Sequence, residues 1–157
     1  MITISRRFVL GIVASTLAVP LPTARQAGAQ ASTAPLNAPR GLAVHGYDVV
    51  AYFTDGRPVR GTTAFVHRWR DAEWRFATAA HRDAFAADPE RYAPQYGGFC
   101  AYGVAQGAQV DVDPTAWRIV DGRLYLNIDH SVQRRWQQDI AGYIRQGDAN
   151  WSRMSTR

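Results

Sequence analysis

The chain of 157 residues is short of most things that mark a function. It holds one cysteine, Cys100, which excludes an internal disulfide and leaves a thiol that is free, metal-bound or paired between molecules. Lysine is absent: all eighteen basic residues are arginine, a trait of genome composition more than of chemistry. The sequence carries no His-Glu-x-x-His, no phosphate-cradling glycine loop, no Gly-x-Ser-x-Gly elbow, no Cys-x-x-Cys and no internal repeat. Those absences remove zinc metalloproteases, nucleotide-binding loops, serine hydrolases of the elbow type and dithiol oxidoreductases. No apolar run is long enough for a convincing membrane span. What is present is ordinary globular material, 46% hydrophobic and 20% charged, with five tryptophans and seven tyrosines to build an aromatic core.

Residues 1–31 are set apart as an export signal. Arg6 and Arg7 precede an uncharged, mainly apolar run from Phe8 to Pro22, and Ala29-Gln30-Ala31 ends it in the small-residue pattern of a cleavage site. The arginine pair with Phe8 resembles a twin-arginine signal, which implies an exported, periplasmic protein. Removing 1–31 takes away three arginines and no acid, leaving fifteen arginines against thirteen acidic residues, a formal +2 in place of +5. With those arginines scattered and no recognition motif, the sequence offers no case for nucleic-acid binding.

Residues 32–40, with two prolines and small polar side chains, are expected to be a flexible linker. The folded domain is placed at 41–152. Val49 to Phe53 has the β-branched and aromatic content of a strand, and Asp48 is expected to cap or brace the adjoining turn. Phe65, His67 and Trp69 alternate with polar neighbours, and Trp74-Arg75-Phe76 follows after a short turn, which predicts a hairpin with His67 on its buried face. Thr78 and Asp88-Pro89 have the chemistry of two successive helix starts. Asp121-Gly122 between two apolar runs predicts a second hairpin. A closing helix from about Asp129 to Arg145 carries Val132, Trp136, Ile140 and Tyr143 or Ile144 on one stripe. The fold class that follows is α+β: a small antiparallel sheet of hairpins packed by short helices and a C-terminal amphipathic helix.

Chemistry concentrates in Tyr96-Gly97-Gly98-Phe99-Cys100-Ala101-Tyr102-Gly103, where paired glycines free the backbone to aim the only thiol. Cys100 there is a functional thiol or a small buried hydrophobe. A Cys/His/Asp hydrolase built from Cys100 with His45, His67, His81 or His130 has no sequence feature to say which histidine meets the thiol. Asp111 and Asp113 suggest turn chemistry, since no calcium-loop spacing follows.

The runs Gly46 to Phe53, Trp74-Arg75-Phe76 with Phe85, Asp88 to Tyr92, Tyr96 to Cys100 and Asp121 to Asn127 resemble the exported branch of the YHS-domain family. That resemblance spans about Gly41 to Trp151 and implies a small α+β module that binds metal through cysteines. The pattern's thiol pair falls on Ala77 and His81 in this chain, and its histidine on Arg75. The expectation is therefore a non-enzymatic module handling copper or zinc through Cys100 with His81, and with His45 or His67 beside it. Two alternatives stand beside it. Cys100 is a redox-active thiol, or an inert one in a scaffold whose aromatic pocket at Tyr96, Phe99 and Tyr102 holds a small ligand.

Overall fold

The computed structural model describes residues 34–156, so the leader and its expected cleavage site lie outside the described residues. The architecture is α+β, with two separate two-stranded antiparallel sheets packed by short helices and closed by a C-terminal helix. No helix among the described residues is long and apolar enough to cross a membrane.

The first hairpin joins β1 (Thr62–Trp69) to β2 (Ala72–Phe76), with His67 opposite Trp74 and Trp69 opposite Ala72. Its two turn residues, Arg70 and Asp71, both adopt positive φ, the geometry that matches the twist of the strands. The alternation places Phe65, His67 and Trp69 toward the core and leaves Val66 38% exposed. The second hairpin joins β3 (Asp113–Val120) to β4 (Arg123–Asn127) through Asp121-Gly122, again with both turn residues at positive φ.

One expected strand is a helix. Val49 to Phe53 does not extend; Ala51–Thr54 forms α1 instead. The cause is Asp48, whose Oδ1 accepts hydrogen bonds from the Val50 and Ala51 amides at 2.9 and 3.2 Å and turns the backbone into a helical start. β-branched content describes the burial of this segment, since Val49, Val50, Ala51 and Tyr52 are all buried, and not its backbone.

Thr78 caps α2 (Ala79–Ala87) and Asp88 caps α3 (Pro89–Tyr92), with Pro89 at the first helical position. The chain then passes through left-handed residues Tyr96, Gly97 and Gly98 into α4 (Ala101–Ala105). The expected closing helix is interrupted: α5 (His130–Trp136) and α6 (Ile140–Met154) are separated by a 3-10 turn over Gln137–Asp139. Asp139 restarts the helix by accepting the Gly142 amide at 2.9 Å, and α6 runs well past Arg145.

β4 divides the core in two. Leu124 and Leu126 face a cluster of Tyr52, Trp74, Phe76, Phe85 and Cys100. Tyr125 between them faces a second cluster of Tyr96, Ala101, Val104 and Trp136, against which α6 lays Tyr143, Ile144 and Trp151. A strand buried on both faces needs apolar residues at every position, and β4 reads Leu-Tyr-Leu up to Asn127.

Within the expected linker, residues 34–38 pack against the domain as a strap, and Pro39 and Arg40 are exposed. Asn37 is 7% exposed and pins the segment to the glycine turn: its amide donates to the Gly97 carbonyl at 2.8 Å and its Nδ2 to the Gly98 carbonyl at 3.0 Å. Arg70 holds the Ala34 and Pro35 carbonyls from the other side. Pro39 then opens a short 3-10 turn over Pro39–Gly41, where its fixed φ suits the first helical position.

Candidate functional site

Cys100 sits at the junction expected of it, 1% exposed, with backbone held by an amide bond of 2.9 Å to the Val110 carbonyl. Its Sγ does the work that Ser or Thr does at other helix starts. It accepts the Gly103 amide at 3.4 Å and caps α4, while the thiol donates toward Asn127 Oδ1 at 3.7 Å. Asn127 is fully buried; the same Oδ1 accepts the Tyr102 amide at 3.3 Å, and its Nδ2 has no partner. The sulfur therefore faces a backbone amide and an amide side chain.

The histidines expected near Cys100 are elsewhere. His81 meets Asp48: Nδ1 lies 2.7 Å from Asp48 Oδ2, which also accepts the Ala77 amide at 2.8 Å. His45 meets Asp111, with Nε2 2.8 Å from Oδ1. His67 packs edge-on to Phe85, ring centroids 5.9 Å apart. None of the three shares a hydrogen-bond partner with Cys100. No group of three or more His, Cys, Asp or Glu side chains is placed to hold a metal ion among the described residues. The donor set expected for copper or zinc thus does not fit one centre. The two positions where the resemblance puts a thiol pair, Ala77 and His81, both serve Asp48 instead.

Of the expected aromatic pocket, Tyr96 lines a small cleft of about 170 Å³ together with Arg70, Glu90 and Trp151, while Phe99 and Tyr102 are not part of its lining. Tyr96 and Phe99 pack on Trp151, with centroids 6.0 and 6.2 Å apart, and Tyr102 packs on Tyr143 at 5.2 Å. Tyr96 donates its hydroxyl to Asp148 at 2.9 Å; burial first, then this bond to a carboxylate, pushes its ionisation well above the usual tyrosine range. These rings join α6 to the glycine turn.

His81 has a second neighbour. Its Nε2 lies 3.3 Å from Thr54 Oγ1, so Thr54, His81 and Asp48 are connected in the order of a nucleophile, a base and an orienting carboxylate. The Thr54 hydroxyl is also 2.8 Å from Asp55 Oδ1 and 3.2 Å from the Val50 carbonyl. The nearer, charged acceptor competes for the hydroxyl proton, so the connectivity does not amount to an activated nucleophile.

A cleft of about 570 Å³ opens between Pro39, Arg40, Leu42, His45 and Arg75. One wall is a loop with an unusual backbone: Arg40, Gly41, Val44, His45 and Gly46 all have positive φ, Val44 at 47° and His45 at 51°. A β-branched residue in that region is a strained one and must be held there. The Tyr47 amide bonds the Val44 carbonyl at 3.0 Å, the Gly61 amide bonds the Gly46 carbonyl at 2.9 Å, and Asp111 holds His45. Asp111 in turn accepts from Asn37 Nδ2 and from the Val112 amide, both at 2.8 Å. Burial alone would raise its carboxyl; the bonds from Asn37, Val112 and His45 outweigh that and hold it below the usual carboxylate range.

Sequence reasoning missed Asn127 as the partner of Cys100, the Asn37–Asp111–His45 network, and Arg40 on the cleft. Asn127 had a signal, a polar residue ending an otherwise apolar strand. Arg40 had none, since it sits among prolines that suggest a linker. No protein-family model, curated protein or solved structure matches this chain.

Proposed function

We propose that this protein is an exported, non-catalytic ligand-binding scaffold of the YHS type, in which Cys100 is a packing and capping residue. The observation that carries this reading is the set of partners around Cys100. A thiol that caps a helix, donates to Asn127 and is 1% exposed has no open side for a metal or a redox partner. The exported location rests on the paired arginines and apolar run of the leader, and the family on the motif runs quoted above. Clefts of ligand size lie away from the thiol.

Two measurements on the domain from residue 32 onward test it. In native protein Cys100 reacts with an aromatic disulfide reagent about a hundred-fold or more slowly than after unfolding in guanidinium, because reaction waits on local opening. Titration with Zn²⁺ and with Cu(I), followed by native mass spectrometry, shows no stoichiometric metal that depends on Cys100. One equivalent of either metal in wild type, lost in Cys100→Ala, would overturn the reading in favour of a metal module. A fast-reacting native thiol would overturn it in favour of a redox thiol.

A further inference from the structure

We propose that the cleft between Arg40, His45 and Arg75 binds a small oxyanion, a carboxylate or a phosphate, through the guanidinium groups of Arg40 and Arg75. The donors point to this class. Arg40 is exposed and makes no hydrogen bond or ion pair among the described residues. Arg75 gives only its Nε to a carboxylate, Glu73 Oε1 at 2.7 Å, so both Nη atoms of its planar fork are without a partner among the described residues. Two guanidinium groups on one cleft with unspent donors match the geometry of carboxylate and phosphate oxygens.

No acid lines the cleft, and the carboxylates that bond its lining residues are Glu73 and Asp111. Glu73 takes the Nε edge of Arg75, and Asp111 Oδ1 holds Asn37, His45 and the Val112 amide. Glu73 restricts which edge of Arg75 is offered, and Asp111 fixes the imidazole at the rim. The backbone supports the same use. The loop from Arg40 to Gly46 is held in left-handed conformations by bonds to Gly61 and within itself, which is how a strained ligand clamp persists. The Arg75 stem lies beside Gly46, on the loop that carries Arg40.

This proposal rests on the scaffold reading above, and its test is separable from the thiol and metal measurements. The experiment is isothermal titration calorimetry of the domain from residue 32 onward, in low-salt buffer, with inorganic phosphate and with succinate in separate runs. Wild type binds at least one of the two saturably, one per chain, and 1 M sodium chloride weakens it. Whichever of the two binds more tightly identifies the anion as a phosphate or a carboxylate. Arg40→Gln and Arg75→Gln each lower affinity ten-fold or more. Arg82→Gln, which removes a guanidinium paired with Asp83 on α2, leaves it unchanged. Arg40 is exposed, so its variant keeps the fold and reports on binding alone, and Arg75→Lys keeps the stem while losing the fork. Absence of saturable binding of both anions overturns the proposal while leaving the scaffold reading in place. So does wild-type affinity in both Arg40→Gln and Arg75→Gln, or equal loss in Arg82→Gln, which would mean diffuse charge and no site.

Discussion

Asp48 and His81 are joined by a 2.7 Å contact between Oδ2 and Nδ1, with the carboxylate fully buried and the imidazole side chain 16% exposed. The pair ties the turn before α1 to the first turn of α2, across 33 residues of chain. Asp48 also receives three backbone amides, from Val50, Ala51 and Ala77.

That asymmetry predicts unequal costs. Asp48→Ala strands two buried amides, a third that is part-buried and the imidazole, and is expected to destabilise by about 3–5 kcal/mol. His81→Ala leaves the carboxylate its backbone donors and is expected to cost about 1–2 kcal/mol. Urea unfolding of both variants decides the order. An equal or larger loss in His81→Ala would mean that the imidazole, and not the backbone amides, holds the carboxylate in place.

Gly97 is where the strap of residues 34–38 meets the glycine turn. It has φ of 59°, and a Cβ there would run into the Pro35 carbonyl. Gly107 has φ of 84° with open space around it. Gly107→Ala is expected to carry only the left-handed penalty, about 1 kcal/mol. Gly97→Ala adds the clash and is expected to cost about 2–3 kcal/mol while releasing the strap. Limited proteolysis reads the release directly: cleavage within 34–38 should rise in Gly97→Ala and stay at wild-type level in Gly107→Ala.

Acid stability follows from Asp111. Its carboxyl is held below the usual range in the folded state, so the unfolded chain takes up the proton first as pH falls. Its contribution is complete above the unfolded value near pH 4 and is lost as pH drops through the lower folded value. Asp111→Asn should therefore be less stable at neutral pH and show a shallower fall in stability below about pH 4. Chemical denaturation from pH 7 to pH 2 tests this, and parallel curves for wild type and variant would remove Asp111 from the account.

At the alkaline end the sign reverses. Burial pushes the ionisation of Tyr52 and Tyr96 above the ordinary tyrosine value near 10; Tyr52, which donates to the Pro114 carbonyl at 2.7 Å, is raised further by nearby Tyr47, Asp113 and Asp48. The unfolded chain loses these protons first, so stability declines as pH rises above about 10. Titration of absorbance at 295 nm should show part of the signal from the seven tyrosines appearing only as near-ultraviolet circular dichroism collapses. Complete ionisation with that dichroism intact would contradict the burial of Tyr52 and Tyr96.

What the sequence determined alone is what is local. Thr78, Asp88-Pro89 and Asp121-Gly122 define caps and a hairpin because their bonds reach three or four residues along the chain, and the alternation of Phe65, His67 and Trp69 reports its own buried face. Val49 to Phe53 misled because burial and backbone conformation are different properties, and the deciding bonds came from one carboxylate. Tertiary structure alone decided the chemistry. Cys100 meets Asn127 across 27 residues, His45 meets Asp111 across 66, and Arg40 shares a cleft with Arg75 through a loop whose left-handed turns no pattern announces. Side chains that are rare in a sequence attract a functional reading, yet their partners are chosen by how distant elements pack, and here packing gave the thiol to a helix cap and each expected histidine to a separate neighbour.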